Sequence, residues 1–116
     1  IRILCLKCFQ TFNKSREPEA KRRYADIARR VGLGGTSEES QVNALCEKIK
    51  EFNRTLNIPS TLKEFGIDEA EFKSKVAEIA ANAVGDACTG SNPRSITPEQ
   101  MEKLFVCTYY GTEVDF

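Results

Sequence analysis

Cys88 heads the stretch Cys88-Thr89-Gly90-Ser91-Asn92-Pro93-Arg94, a string that no general requirement of folding calls for. Gly90 and Asn92-Pro93 are turn formers, so the stretch gathers a thiol, a hydroxyl and backbone N–H groups at one place. As a thiolate, Cys88 would be a nucleophile. Its position near the end of a predicted helix argues against that: the negative end of a helix dipole keeps a thiol protonated, and a small buried residue is the plainer reading. A second candidate, Cys5 with Cys8, has the C-x-x-C spacing of half a zinc ribbon or of a redox dithiol. Cys46, Cys88 and Cys107 stand singly on separate predicted helices and complete no zinc set. The pair neither follows a strand nor opens a helix, so it reads as two incidental thiols.

The 116 residues include no histidine, which removes imidazole ligands and histidine general bases from any chemistry the chain performs unaided. No catalytic, metal-ligating or cofactor-binding residue is therefore assigned to the chain alone. Gly32-Leu33-Gly34-Gly35 follows a helix, and it lacks the third glycine of a dinucleotide loop and the lysine of a phosphate loop. Seventeen basic and seventeen acidic side chains cancel, so no net field draws the molecule to nucleic acid or to an anionic membrane. Positive charge is concentrated over 14–30, where Lys14, Arg16, Lys21, Arg22, Arg23, Arg29 and Arg30 face only Glu17, Glu19 and Asp26. The interleaved acids, and the lack of an aromatic placed to stack on bases, make this a solvated, salt-bridged face. No apolar run reaches the ~20 residues of a membrane span. Five cysteines at irregular spacing fit a reducing cytosol better than a disulfide framework, and the expected location is cytoplasmic.

The elements that must position these residues are all α. A first helix is predicted from Pro18 to Val31, with Ala20, Tyr24, Ile27, Ala28 and Val31 on one face and Gly32 ending it. Thr36, with Glu39 three residues on, caps a second whose stripe is Val42, Leu45, Cys46, Ile49, Phe52 and Leu56. Pro59 breaks that period, and Ser60 caps a short turn to Phe65 that buries Ile58, Leu62 and Phe65. Asp68, with Glu71, opens a third helix carrying Phe72, Val76, Ile79, Ala80, Ala83 and Val84. Thr97-Pro98-Glu99-Gln100 opens the fourth, which turns Met101, Leu104, Phe105 and Thr108 inward and stops near Tyr110 before Gly111. Residues 112–116 are expected to fray or to dock on a neighbour. Residues 1–17 either continue a helix or form an extended arm.

In residue order and spacing the chain resembles the C-terminal region of the iron-dependent alcohol dehydrogenases. The landmarks are Arg23 to Ala28, Ile58-Pro59, Gly66, Cys88 to Arg94 and Tyr109-Tyr110-Gly111. The last is most similar to the alcohol dehydrogenase half of the bifunctional aldehyde/alcohol dehydrogenases of fermentative microbes. The resemblance covers 18–116 as a C-terminal helical subdomain and leaves 1–17 as a poorly matched N-terminal arm. It implies that Cys88 is a wall residue of the substrate pocket, beside the metal and nicotinamide. Thr89, Gly90, Asn92, Pro93 and Arg94 then read as the turn that fixes the wall, with an Asx-type bond from Asn92 and an ion pair or interface contact from Arg94. Fe2+ and NAD are implied for the complete enzyme only, whose nucleotide fold and metal ligands lie upstream of the matched part. The implied reaction interconverts short primary alcohols and aldehydes by hydride transfer, with the metal as Lewis acid.

Two organisations fit these readings. In one the chain is a fragment of that enzyme, inactive alone and completed by the remainder of the dehydrogenase. In the other it is a free-standing helical interaction module that binds itself or a partner helix through an uncovered apolar face. A weaker third is a metal or redox module built on Cys5 and Cys8.

Overall fold

A computed structural model describes residues 17–116, and they form helices without strands. The C-x-x-C pair Cys5/Cys8 and the arm preceding Glu17 lie outside the described residues. In chain order the elements are α1 (Pro18–Arg30), α2 (Glu38–Thr55), the short α3 (Leu62–Phe65), α4 (Glu69–Gly85), a single 3-10 turn (Thr89–Ser91) and α5 (Pro98–Tyr110). The all-α expectation and the four long helices are both present. Two packed units result: α1 lies against α2, while α3, α4 and α5 pack together with the segment after α5.

The first unit is an αα-hairpin closed by the 31–37 connection. Its seam is made by alanine: Ala25 and Ala28 are fully buried, Ala20 nearly so, and Val42 and Cys46 face them from α2. Small side chains let two helix backbones approach closely, at the cost of little apolar area per residue. The predicted α1 stripe is therefore turned from the true one by roughly 50°, at 100° per residue. Ile27 and Val31, expected inside, are 45% and 62% exposed, and Ala25 takes their place. The α2 cap also differs. Ser37, not Thr36, accepts from the Ser40 N–H at 3.2 Å, and Ser40 Oγ accepts from the Ser37 N–H at 3.0 Å. Glu39, the expected capping partner, instead meets Lys21 Nζ at 2.5 Å across the hairpin. Gly35 is required here, since its φ is +140° and a Cβ would lie 2.7 Å from Ser40 Oγ.

The second unit has a different interior. Phe72, Val76 and Ala80 of α4 meet Met101, Leu104 and Tyr109 of α5, and Leu62 of α3 closes one end. Tyr109, missed by the periodicity reading, is the largest fully buried side chain. Its ring stacks on Phe72 with centroids 4.3 Å apart, and its hydroxyl donates to the Ile67 carbonyl at 2.8 Å. Tyr110 stays outside and donates to Glu69 Oε1 at 2.8 Å. Caps at Asp68 and at Thr97/Gln100 form as expected, whereas α3 is capped by Thr61 in place of Ser60. Phe65 and Ile79 are exposed where the sequence put them inside. The segment after α5 is neither frayed nor docked elsewhere: Val114 is buried against Ile96, Met101, Leu104 and Cys107 of its own chain. Gly111 permits that reversal, with φ +77° and no room for a Cβ, which would lie 2.8 Å from Thr61 Cγ2.

Candidate functional site

The Cys88–Arg94 string connects α4 to α5. Gly85 ends α4, and Asp86 starts a compact turn in which its Oδ1 accepts from the Cys88 N–H at 2.8 Å. Thr89 then reaches back, its Oγ1 donating at 2.6 Å to the Ala83 carbonyl, which also accepts from the Asp86 N–H at 3.4 Å. Ser91 Oγ donates to the Cys88 carbonyl at 2.7 Å, and the Asn92 N–H to the Thr89 carbonyl at 3.1 Å. The side chain of Asn92 donates from Nδ2 to the Arg94 carbonyl at 2.5 Å. That is a clasp of opposite polarity to the expected Asx bond, in which the side-chain oxygen accepts.

Cys88 itself is exposed, a free thiol between helix and turn, and not the buried residue its position suggested. It lies three residues past the end of α4. Thr89 and Asn92 are half-buried beside it, while Gly90, Ser91 and Pro93 are exposed. Arg94 is the surprise. It is 7% exposed, and its Nη1 donates to the Phe116 carbonyl at 3.0 Å. No local sequence signal foretells a bond between residues so far apart along the chain.

Two open grooves lie elsewhere. One, of about 250 Å³, is apolar and lined by Leu62, Ile67, Phe72, Ile79 and Phe105 with Glu71 and Lys75 at its rim. Another, of about 490 Å³, runs along the outer side of α5 beside Glu99, Glu102, Lys103 and Phe116. Neither is lined by Cys88. On α1 the basic side chains are engaged: Glu19 accepts from Arg22 at 2.7 Å and from Arg23 at 3.0 Å, and Asp26 pairs with Arg29. The two guanidiniums hold the Glu19 carboxyl well below the usual carboxylate range, at about 2. Lys73, and then Tyr110, lower that of Glu69.

Residues 2–109 match the C-terminal model of the Fe-containing alcohol dehydrogenase family. The chain belongs to this family. Among its relatives, an NADPH-dependent butanol dehydrogenase of Clostridium saccharobutylicum is 54% identical over 94 residues, 81% of this chain and 24% of that protein. The bifunctional aldehyde-alcohol dehydrogenase AdhE of Escherichia coli (strain K12) is 33% identical over 104 residues, 88% of this chain and 12% of that protein. Alcohol dehydrogenase 4 of Saccharomyces cerevisiae (strain YJM789) is 35% identical over 92 residues, 79% of this chain and 22% of that protein. The chain thus spans about a quarter of the length of the butanol dehydrogenase and less of the bifunctional enzyme.

The metal implied by the family name does not fit the donors present. The sequence has no histidine, and no three His, Cys, Asp or Glu side chains converge among the described residues. No step of the chemistry is assigned to a metal held by this chain. No helix among the described residues is long and apolar enough to cross a membrane.

Proposed function

We propose that this chain works as part of an iron-containing alcohol dehydrogenase subunit, where it closes one side of a pocket for short primary alcohols and aldehydes, and that it is inactive by itself. The observation that carries this reading is the family match over residues 2–109 combined with an exposed Cys88 on a turn bonded on both sides. Cys88 bounds the pocket as a wall. The remainder of the subunit supplies the nucleotide fold and the metal ligands, and the overall reaction is hydride transfer between alcohol and nicotinamide.

NAD is the proposed dinucleotide, as the resemblance to the iron-dependent alcohol dehydrogenases implies for the complete enzyme. The butanol dehydrogenase is named for NADPH, so both are assayed. The reading places the enzyme in the cytoplasm of a fermenting cell. It also gives a partner to the exposed side chains Phe52, Leu56, Phe65 and Ile79: the rest of the dehydrogenase covers them, in preference to a second copy of the chain.

Alcohol oxidation by the purified 116-residue chain and by a complete subunit containing it, with iron and either dinucleotide, tests the proposal. Activity is expected from the complete subunit alone. Turnover by the short chain overturns the reading, and a stable dimer of the short chain that buries those four side chains favours the interaction module instead.

A further inference from the structure

The Cys88 turn is held from two directions, and one of the holds is a buried cation. A guanidinium keeps its charge in almost any surroundings, so burying Arg94 is costly unless its N–H groups find acceptors. Nη1 finds the Phe116 carbonyl at 3.0 Å, and Asn92 grips the carbonyl of Arg94 itself. Phe116 is no loose end. Val114 sits in the α4–α5 core, Cys107 Sγ lies 3.5 Å from the Glu113 carbonyl, and Lys103 Nζ stands 5.7 Å from the Phe116 ring centroid. On the opposite side Thr89 ties the turn to the end of α4. Cys88 therefore sits on a segment clamped between α4 and the chain beyond α5. A connection that only joined two helices would not need a buried arginine.

We propose that Arg94 is a positioning residue for substrate selection, fixing the turn so that Cys88 meets the alcohol at a set place. The proposal rests on the reading of Cys88 as a pocket wall. Arg94 acts through the turn, so its loss displaces the wall without removing any reacting group. A wall that touches the alcohol without taking part in the chemistry acts on uniform binding, which shows in KM rather than in kcat.

The test uses the complete subunit with Arg94→Met, Arg94→Lys and Cys88→Phe. Arg94→Met should speed hydrogen exchange at the Thr89, Ser91 and Asn92 amides about tenfold or more, while the amides of α1 and α2 keep their rates. It should also change the ratio of kcat/KM for butan-1-ol over ethanol, chiefly through KM. Arg94→Lys, which keeps the charge and a donor nitrogen but not the planar fork, should recover part of both effects, and it carries the test if the methionine variant does not fold. Unchanged exchange in the turn together with an unchanged alcohol ratio overturns the proposal. So does a uniform rise in exchange across all helices, since that marks a purely structural role. Cys88→Phe separates the two readings. If it leaves the alcohol ratio alone, the pocket wall itself is wrong and this inference falls with it. If it shifts the ratio while Arg94→Met does not, only the positioning role fails.

Discussion

The α1–α2 hairpin and the α4–α5 unit solve the same packing problem with different materials. The hairpin brings helices together on alanine, buries two larger residues from α2, and leaves Ile27, Val31, Phe52 and Leu56 in solvent. The α4–α5 unit buries Phe72, Met101, Leu104 and Tyr109 and adds hydrogen bonds that reach across the fold, such as that of Tyr109 to Ile67. Burial yields roughly 25 cal/mol per Å² of apolar surface, so the two units are unequal in strength. The candidate site grows from the stronger one. Cys88 hangs between α4 and α5, whereas the hairpin supplies exposed charge and uncovered apolar side chains.

The largest effect should come from emptying the stronger core. Tyr109→Ala should cost about 3–5 kcal/mol, by analogy with other buried aromatic truncations, and Leu104→Ala about 2–5 kcal/mol. Thermal or denaturant unfolding of each variant measures this. A loss under 1 kcal/mol at both positions would break the comparison. Tyr109→Phe isolates the polar part: it leaves the Ile67 carbonyl without its donor, and about 1–3 kcal/mol is expected. In the hairpin the sensitive change runs the other way. Ala25→Leu forces volume into a seam that has none, at about 1–3 kcal/mol, and exchange should rise in α1 and α2 ahead of α5.

The same contrast explains what was legible in the sequence. Element type and number could be read because caps and breakers are local: Asp68, Thr97 with Gln100, and the Gly66 and Gly111 stops all lie within a few residues of the groups they serve. Core faces were read correctly at Val76, Met101 and Leu104, but Phe52 of α2, Leu56 just past it, Phe65 of α3 and Ile79 of α4, expected inside, are exposed. Periodicity weighted by size failed in α1, because alanine carries the contact and the bulky Ile27 and Val31 do not. The site was half legible. The string from Cys88 to Arg94 marked the turn, but neither the exposure of Cys88 nor the Arg94–Phe116 bond could be deduced, since both depend on where the chain beyond α5 returns. A short tail of mixed polarity carries no periodic signal, and Val114 alone does not announce a core residue.

Caps should affect the two units alike, which sharpens the contrast by removing a trivial explanation for it. Ser37→Ala opens the box at the start of α2, and Thr97→Ala the one at the start of α5; each should cost about 1 kcal/mol. Equal losses would place the difference between the units in their interiors. A much larger loss at Thr97 would mean that the turn leading into α5, and not core volume, holds the stronger unit.

Acid supplies the smallest test. The Glu19 carboxylate is held at about 2 by Arg22 and then Arg23, and Glu69 is lowered by Lys73 and then Tyr110. A carboxyl whose folded pKa lies below its unfolded value stabilises the fold above the unfolded value, and that contribution fades as pH falls through the folded one. For Glu19 the window runs from the ordinary carboxylate range, near 4.3, down to about 2. Both groups are on the surface, where salt screens them and each pair is weak. Their fates on protonation differ, however. Glu19 loses its attraction to two guanidiniums, while Glu69 loses that to one ammonium and keeps the Tyr110 hydroxyl as a donor. The start of α1 should therefore lose more of its protection than the start of α4 as pH drops toward 2 at low ionic strength, seen as a larger fall in amide protection around Lys21 to Tyr24 than around Phe72 to Val76. Glu19→Gln should flatten the α1 response without touching that of α4. If both helices fray together in the variant and in the parent, the ion pairs of α1 are ornaments of an already weak hairpin and the difference between the units lies wholly in the cores.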